Sequence, residues 1–256
     1  MGEQRAPASF DLTGRVAIVT GGSRGIGLAI ARGFARAGAR VVVASRKADA
    51  CAAAVKEIET AGGQALAVPA HMGEPAALQS LVDRTVEHFG GIDVLVNNAA
   101  NGLAQPVGEF TLEAWDKSLA VNLRGPVFLT QYALPYLKLS GHASVINVLT
   151  AGVFLRSGSV AIYVIGKSGL LAYTRAAADA FAPLSIRVNA LAPGTVDTDM
   201  TRAGGPDHFA WMAKSSPMGR MADADEMVGP ALLLASDAGS YITGQCLSAD
   251  GGLAVH

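Results

Sequence analysis

The run Val16-Ala17-Ile18-Val19-Thr20 passes without a break into Gly21-Gly22-Ser23-Arg24-Gly25-Ile26-Gly27 and then into an Ala-rich stretch of helical periodicity. No other part of the chain restricts the fold so strongly. An apolar, β-branched run reads as a buried strand, the glycines as a tight turn, and the segment after them as a helix packed back on the strand. Glycine at 21, 25 and 27 lets the backbone turn sharply, approach a pyrophosphate with no Cβ in the way, and seat the helix closely. Free amides and the dipole at the helix start then favour phosphate charge, with Ser23 and Ile26 in the same loop. An ordinary strand-to-helix turn is the competing reading, since the chain holds 30 glycines.

The alternation continues along the chain. Short Val/Ile/Leu-rich runs are expected as strands at Val16 to Val19, Arg40 to Ala44, Ala65 to Val68, Val94 to Asn97, Ser144 to Val148, Arg187 to Ala190 and Cys246 to Ser248. Helical stretches fall between them, near Ile26 to Ala37, Ala50 to Ala61, Pro75 to Phe89, Leu112 to Leu139, Ala161 to Phe181 and Asp225 to Ser236. Strands that are apolar throughout are buried on both faces, which fits a parallel sheet under helices on either side. The expected fold is therefore α/β and doubly wound, with a seven-stranded parallel sheet in a single domain spanning residues 1–256. The segment 197–219 breaks the rhythm: it holds Gly204, Gly205, Pro206 and Pro217 yet also carries Phe209, Trp211 and Met212. A long irregular segment in a compact domain is usually functional, and this one is read as a lid over a substrate. Aromatics packing a short surface helix are the alternative.

Composition narrows the classes further. With 50% apolar and 16% charged residues, the 256-residue chain has material for one large core and is not globally disordered. A net charge of −1 lacks the basic footprint of a nucleic-acid binder. Cys51 and Cys246 stand apart from any Cys/His set, so neither a disulfide framework nor a metal site is expected. Apolar runs such as Ala231 to Ala235 are too short to span a membrane, and the polar start has no signal-peptide core. Gly2 would suit myristoylation, but Ala6 stands where Ser or Thr is wanted. A cytoplasmic protein is expected. The GxxxxGKS pattern of kinases is missing.

The glycine spacing is TGxxxGxG, and further motifs follow in order: Asn97-Asn98-Ala99 after the fourth strand, Asn122 in the next helix, Tyr163 and Lys167 as YxxxK, and Pro193-Gly194 after the sixth strand. From Leu12 to Gly252 the chain resembles the compact short-chain dehydrogenase/reductases, which have a Rossmann fold. The resemblance implies an NAD(P)-dependent oxidoreductase in which Tyr163 is the general acid/base, Lys167 tunes it and holds ribose hydroxyls, and Asn122 anchors a water in a proton relay. Residues four apart share a helix face, so Tyr163 and Lys167 can act together. A nearby ammonium favours the phenolate of a side chain whose free pKa is about 10.

Charge at the end of the second strand bears on the cofactor. Ser45 stands where NAD-preferring relatives place an aspartate, and Arg46 with Arg24 can converge on a 2′-phosphate. NADP(H) is favoured, with NAD(H) as the alternative. His71 and Met72 replace the residues many relatives set against the adenine ring, Asn98 and Ala99 would lie under the cofactor, and Val196 and Thr198 would meet the carboxamide.

The main departure is Thr150, thirteen residues before Tyr163, where the family generally has serine. Threonine keeps the hydroxyl, but its methyl restricts χ1. A dinucleotide-binding protein with weak or no catalysis is accordingly the alternative function. Leu103, Val153, Phe154 and Leu155, together with lid residues Phe209, Trp211 and Met212, are expected to line the substrate pocket. They suggest an apolar ketone or secondary alcohol, as for carbonyl reductases or 3-oxoacyl-carrier-protein reductases. Pairing of the long Ala-rich helices, and the ending Ile242 to Gly252, imply a homotetramer by the same resemblance.

Overall fold

A computed structural model describes residues 9–203 and 205–254, with the side chains at 206, 208 and 210 left out. The chain start read above for leader and lipidation signals, Gly2 and Ala6 included, lies outside the described residues, as does Gly204.

The strands are β1 (Val16–Thr20), β2 (Arg40–Ser45), β3 (Gln64–Pro69), β4 (Val94–Asn97), β5 (Ser144–Val148), β6 (Arg187–Pro193) and β7 (Cys246–Ala249). The first three helices are α1 (Gly25–Arg36), α2 (Ala48–Thr60) and α3 (Pro75–Phe89). They are followed by α4 (Leu112–Leu119), α5 (Gly125–Leu137), α6 (Ala161–Phe181), α7 (Asp199–Arg202), α8 (Pro206–Ala213) and α9 (Val228–Ala235). The seven strands form one parallel sheet in the order β3-β2-β1-β4-β5-β6-β7. The chain builds outward from β1 to β3, then returns to place β4 on the other side of β1. The connections leaving β1 and β4 run in opposite directions along the sheet, which is where doubly wound sheets open a crevice.

Strand side chains alternate between two cores. Val19, Val41 and Val43 pack with Ile30 and Phe34 of α1, Ile58 of α2 and Leu234 of α9 on one face. Ile18, Val42 and Leu95 pack with Leu81 of α3, Leu129 of α5 and Ala177 of α6 on the other. The continuous apolar runs thus serve two layers at once. Burial of each such Val, Ile or Leu contributes about 1.5–3 kcal/mol.

Three expected elements differ. The long helix expected over Leu112 to Leu139 is two helices joined by a π-turn, Ala120–Arg124, in which the Gly125 amide donates to the Ala120 carbonyl five residues back. Pro126 has no N–H to give Asn122, and wider winding accommodates that loss. The last expected helix starts with a 3₁₀ turn, Ala224–Met227, before α9. The 197–219 segment contains two short helices, α7 and α8, rather than a continuous irregular loop.

Thr20 joins the two halves of the sheet. Its Oγ1 accepts from the amides of Asn98 and Ala99 at 2.9 and 3.0 Å and donates to the Val96 carbonyl at 3.1 Å. Thr20 is fully buried, so Thr20→Val strands both amides and costs about 1–3 kcal/mol, read as a lower urea midpoint at unchanged slope. An unchanged midpoint would show that these bonds do not hold the sheet together.

Candidate active site

The crevice at the carboxyl ends of β1, β2, β4 and β5 is a cavity of about 510 Å³. Its floor is the glycine turn. Gly21 has φ +65° and Gly25 φ +52°, conformations that L side chains rarely adopt. A Cβ at Gly27 would lie 2.3 Å from the Gly21 carbonyl oxygen, so only glycine lets α1 start this close to the strand. A Cβ at Gly21 would in turn meet Asn98 Nδ2 at 2.8 Å, an atom that donates to the Thr20 carbonyl. The result is a ring of bare backbone at the start of α1, which is the shape a pyrophosphate needs.

The wall nearest β2 is polar. Ser23 Oγ donates to Ser45 Oγ at 2.9 Å where the ribose of a dinucleotide would end, and Arg46 lines the same wall. Arg24 lines the cavity too, but its Nη1 is 3.2 Å from Asp199 Oδ2 at the start of α7. His71 and Met72 complete the side near β3, with His71 Nδ1 accepting from the Gly73 amide at 3.0 Å. This donor set fits a nicotinamide dinucleotide: glycine backbone for the diphosphate, hydroxyls and guanidinium groups for the ribose end, and apolar neighbours for the rings.

At the other end, α6 presents Tyr163 and Lys167 to the cavity one turn apart. Lys167 is buried and its Nζ donates to the Val148 carbonyl at 2.7 Å, 5.9 Å from the centre of the Tyr163 ring. Burial pushes the Tyr163 phenol up to about 12 and pulls the Lys167 ammonium down to about 7. Desolvation therefore outweighs the mutual tuning expected from the spacing, and in the protein by itself the phenol keeps its proton at neutral pH.

Asn122 lies in the π-turn, fully buried. Its Nδ2 donates to Asn101 O and Oδ1, each at 3.0 Å, and to Ser118 Oγ at 3.1 Å, while its Oδ1 accepts from the Asn101 amide at 3.1 Å. The side chain is committed to holding the loop after β4. Gly166, inside the YxxxK run, allows this proximity, since a Cβ there would stand 3.0 Å from that of Asn122. Thr150 follows β5 and its Oγ1 accepts from the Gly152 amide at 3.1 Å, which leaves its own hydrogen available to a substrate oxygen.

Of the residues singled out in the sequence, the cavity wall brings together Gly21, Ser23, Arg24, Gly25, Ile26 and Gly27 with Ser45, Arg46, His71 and Met72. Asn98, Ala99, Leu103, Tyr163, Lys167 and Thr198 line it as well. Asn122, Thr150, Pro193, Gly194 and Val196 are not among the residues that line it. Gly194 packs on Asp250, where a Cβ would come within 2.6 Å of that residue's Cα, and Val196 is buried beside Ala222. Among the expected substrate residues, Val153 and Phe154 pack on a small core with Leu149 and Leu170, and Leu155 is 38% exposed and does not line the cavity. Phe209, Trp211 and Met212 belong to α8, with Trp211 66% exposed, and do not reach the cavity. The residues that take their place beside Leu103 are Asn101, Lys117, Val121 and Met200. Lys117 and Val121 sit on the outward turn of α4 and the π-turn, so only a correct placement of that irregular turn would have found them.

Among the described residues no group of three His, Cys, Asp or Glu side chains is placed to hold a metal, and no helix is long and apolar enough to cross a membrane.

Known proteins with this architecture share the sequence pattern. Residues 21–254 match a family model described as enoyl-(acyl carrier protein) reductase. Gluconate 5-dehydrogenase of Gluconobacter oxydans is 33% identical over 251 residues, covering 97% of this chain and 98% of that protein. The solved structure of a short-chain type dehydrogenase/reductase from Mycobacterium marinum superposes with a TM-score of 0.91 at 33% identity, covering 95% of this chain and 97% of the other. A blue fluorescent protein from a metagenomic library, solved in complex with NADPH, superposes at 0.89 with 35% identity over 96% of this chain and 100% of its own. Sharing its sequence and its parallel-sheet fold with these relatives over nearly its whole length, the chain belongs to the short-chain dehydrogenase/reductase family of oxidoreductases.

Proposed function

We propose that the protein is a cytoplasmic, NADP(H)-dependent oxidoreductase that interconverts a ketone and a secondary alcohol, with Tyr163 as general acid and base. The observation that carries this reading is that half-buried Tyr163 and buried Lys167 open into the same cavity as the glycine turn. The gluconate dehydrogenase named among the relatives and the NADPH in the complex of another agree with the reaction type and the cofactor class. When bound, the nicotinamide gives or accepts the hydride, and its oxidised form adds positive charge beside the phenol.

The chain's own residues supply the proton side of the reaction. In reduction, Tyr163 Oη gives its proton to the carbonyl oxygen as hydride reaches the carbon; in oxidation it takes the hydroxyl proton back. Thr150 donates a hydrogen bond to the same oxygen, which gains negative charge in the transition state. Lys167, held by the Val148 carbonyl, fixes the position of Tyr163 and meets ribose hydroxyls. Asn122 holds the Asn101 loop and with it the substrate side of the cleft. Leu103, Val121 and Met200 offer the apolar contacts for the substrate body, and the proposed lid borders the cleft through Thr198, Asp199 and Met200 at its start. Exposed Leu112, Phe128 and Ile165 on α4, α5 and α6, with Tyr241 96% exposed, are the surfaces through which a homotetramer would assemble. Small-angle scattering from a tetramer supports that assembly, and a monomer at working concentrations rules it out.

Tyr163→Phe is expected to lower NADPH-dependent ketone reduction by about 10²–10⁴-fold while NADPH fluorescence titration shows binding intact. Thr150→Val is expected to cost about 10²–10³-fold and Thr150→Ser to retain activity. A wild type that binds NADPH but turns over no ketone in a panel of ketones and sugar ketones, while Thr150→Ser gains activity, would favour the dinucleotide-binding alternative. Because burial holds the Tyr163 phenol protonated through neutral pH, reduction starts from the form already present and stays level there. Oxidation needs the proton gone, so its kcat/KM climbs from neutral to alkaline pH; an oxidation rate independent of pH would contradict Tyr163 as the base.

A further inference from the structure

Two features of the cavity rim have no part in the chemistry above. The first is the ion pair between Arg24, at the turn into α1, and Asp199, the first residue of α7, with Nη1 and Oδ2 3.2 Å apart. The second is the ribose end itself, where Ser23 and Ser45 hydroxyls are joined at 2.9 Å with no carboxylate among them, and where Arg46 stands exposed. Asp199 lines the same cavity as all four of these residues. Among the described residues, its carboxylate is the one negative side chain paired with a cation needed at the ribose end. The neighbouring Asp197 is already spent on Arg202, which it holds through both oxygens at 2.6 and 2.8 Å.

We propose that Asp199 is a cofactor-selectivity residue that competes with the 2′-phosphate of NADP(H) for Arg24. This inference rests on the dinucleotide reading of the cleft. A dinucleotide without the 2′-phosphate leaves Arg24 on Asp199, with α7 tied across the glycine turn. A 2′-phosphate draws the guanidinium away, because a doubly charged phosphate accepts two charge-assisted bonds where the carboxylate now accepts one. The cost of releasing Asp199 is then subtracted from the gain at the phosphate, so the pair moderates a preference for NADP(H) that Ser45 and Arg46 would otherwise make steep. Contact at the same place ties the competition to the cleft: a Cβ on Gly25 would lie 3.3 Å from Thr198 Cγ2, so the turn and the start of α7 already touch. Both side chains are about 70% exposed, at 70% and 69%, which keeps the pair weak enough to exchange.

The test uses adenosine 2′,5′-bisphosphate and 5′-ADP as probes in isothermal titration calorimetry at low salt, on wild type, Asp199→Asn, Arg24→Gln and the double variant. Asp199→Asn is expected to tighten the bisphosphate relative to ADP by about two- to fivefold, the range an exposed ion pair of up to 1 kcal/mol allows. The gain is expected to shrink as salt is raised and to vanish in the Arg24→Gln background. An unchanged ratio in Asp199→Asn, or an equal gain with and without Arg24, would overturn the competition even though both probes bind. Failure of both probes to bind wild type would overturn the dinucleotide reading itself, and this inference with it.

Discussion

Everything in the cleft depends on how closely the backbone approaches itself where β1 turns into α1. Gly27 lies against the carbonyl of Gly21, Gly21 lies against the Asn98 side chain, and Thr20 bonds to the amides of Asn98 and Ala99. These contacts tie the glycine turn to the strand on the far side of the crevice. A side chain at either glycine would push the two halves apart, because the atoms it meets are backbone or are themselves hydrogen-bonded. The glycine turn and the crevice between β1 and β4 are therefore one unit, and the proposed catalytic pair on α6 is positioned against it through β5, whose Val148 carbonyl holds Lys167.

A second constraint is the burial of two ionisable groups one turn apart. An isolated Tyr/Lys pair on a helix surface would show ordinary pKa values and do little. Inside this cleft desolvation drives the phenol up to about 12 and the ammonium down to about 7, so burial disfavours the charged form of each group. Such a pair responds strongly to a charge arriving beside it, and cofactor binding is the event that brings one. In the scaffold the buried amides of Asn97 and Asn147 satisfy each other across β4 and β5, with Asn97 Nδ2 donating to Asn147 Oδ1 at 2.9 Å.

Much of this was legible in the chain itself. Runs such as Val41-Val42-Val43 read as strands buried on both faces, and they do feed two cores. The glycine turn and the YxxxK spacing depend on neighbours in sequence, so local reading reached Gly21, Gly25, Gly27, Tyr163 and Lys167. What was harder to see depends on contacts between distant segments. The π-turn at Ala120–Arg124 leaves the apolar period nearly unchanged, and only Pro126 signals it. The ties of Asn122 to Asn101 and of Arg24 to Asp199 join segments whose meeting is decided by the sheet order. Val153 and Phe154 are apolar and close to Thr150 in sequence, which suits a pocket and a core equally; the 3₁₀ turn after β5 directs them to the core.

The central claim is that one cavity holds a nicotinamide dinucleotide along the glycine turn and presents its reactive ring to Tyr163. A crystal structure of the protein soaked with NADP⁺ tests it most directly. The account predicts the diphosphate on the amides of the turn from Gly21 to Gly27, the 2′-phosphate among Ser45, Arg46 and Arg24, and the nicotinamide next to Tyr163 and Lys167. A dinucleotide bound elsewhere, or lying in the cleft with its nicotinamide turned away from Tyr163, would contradict it.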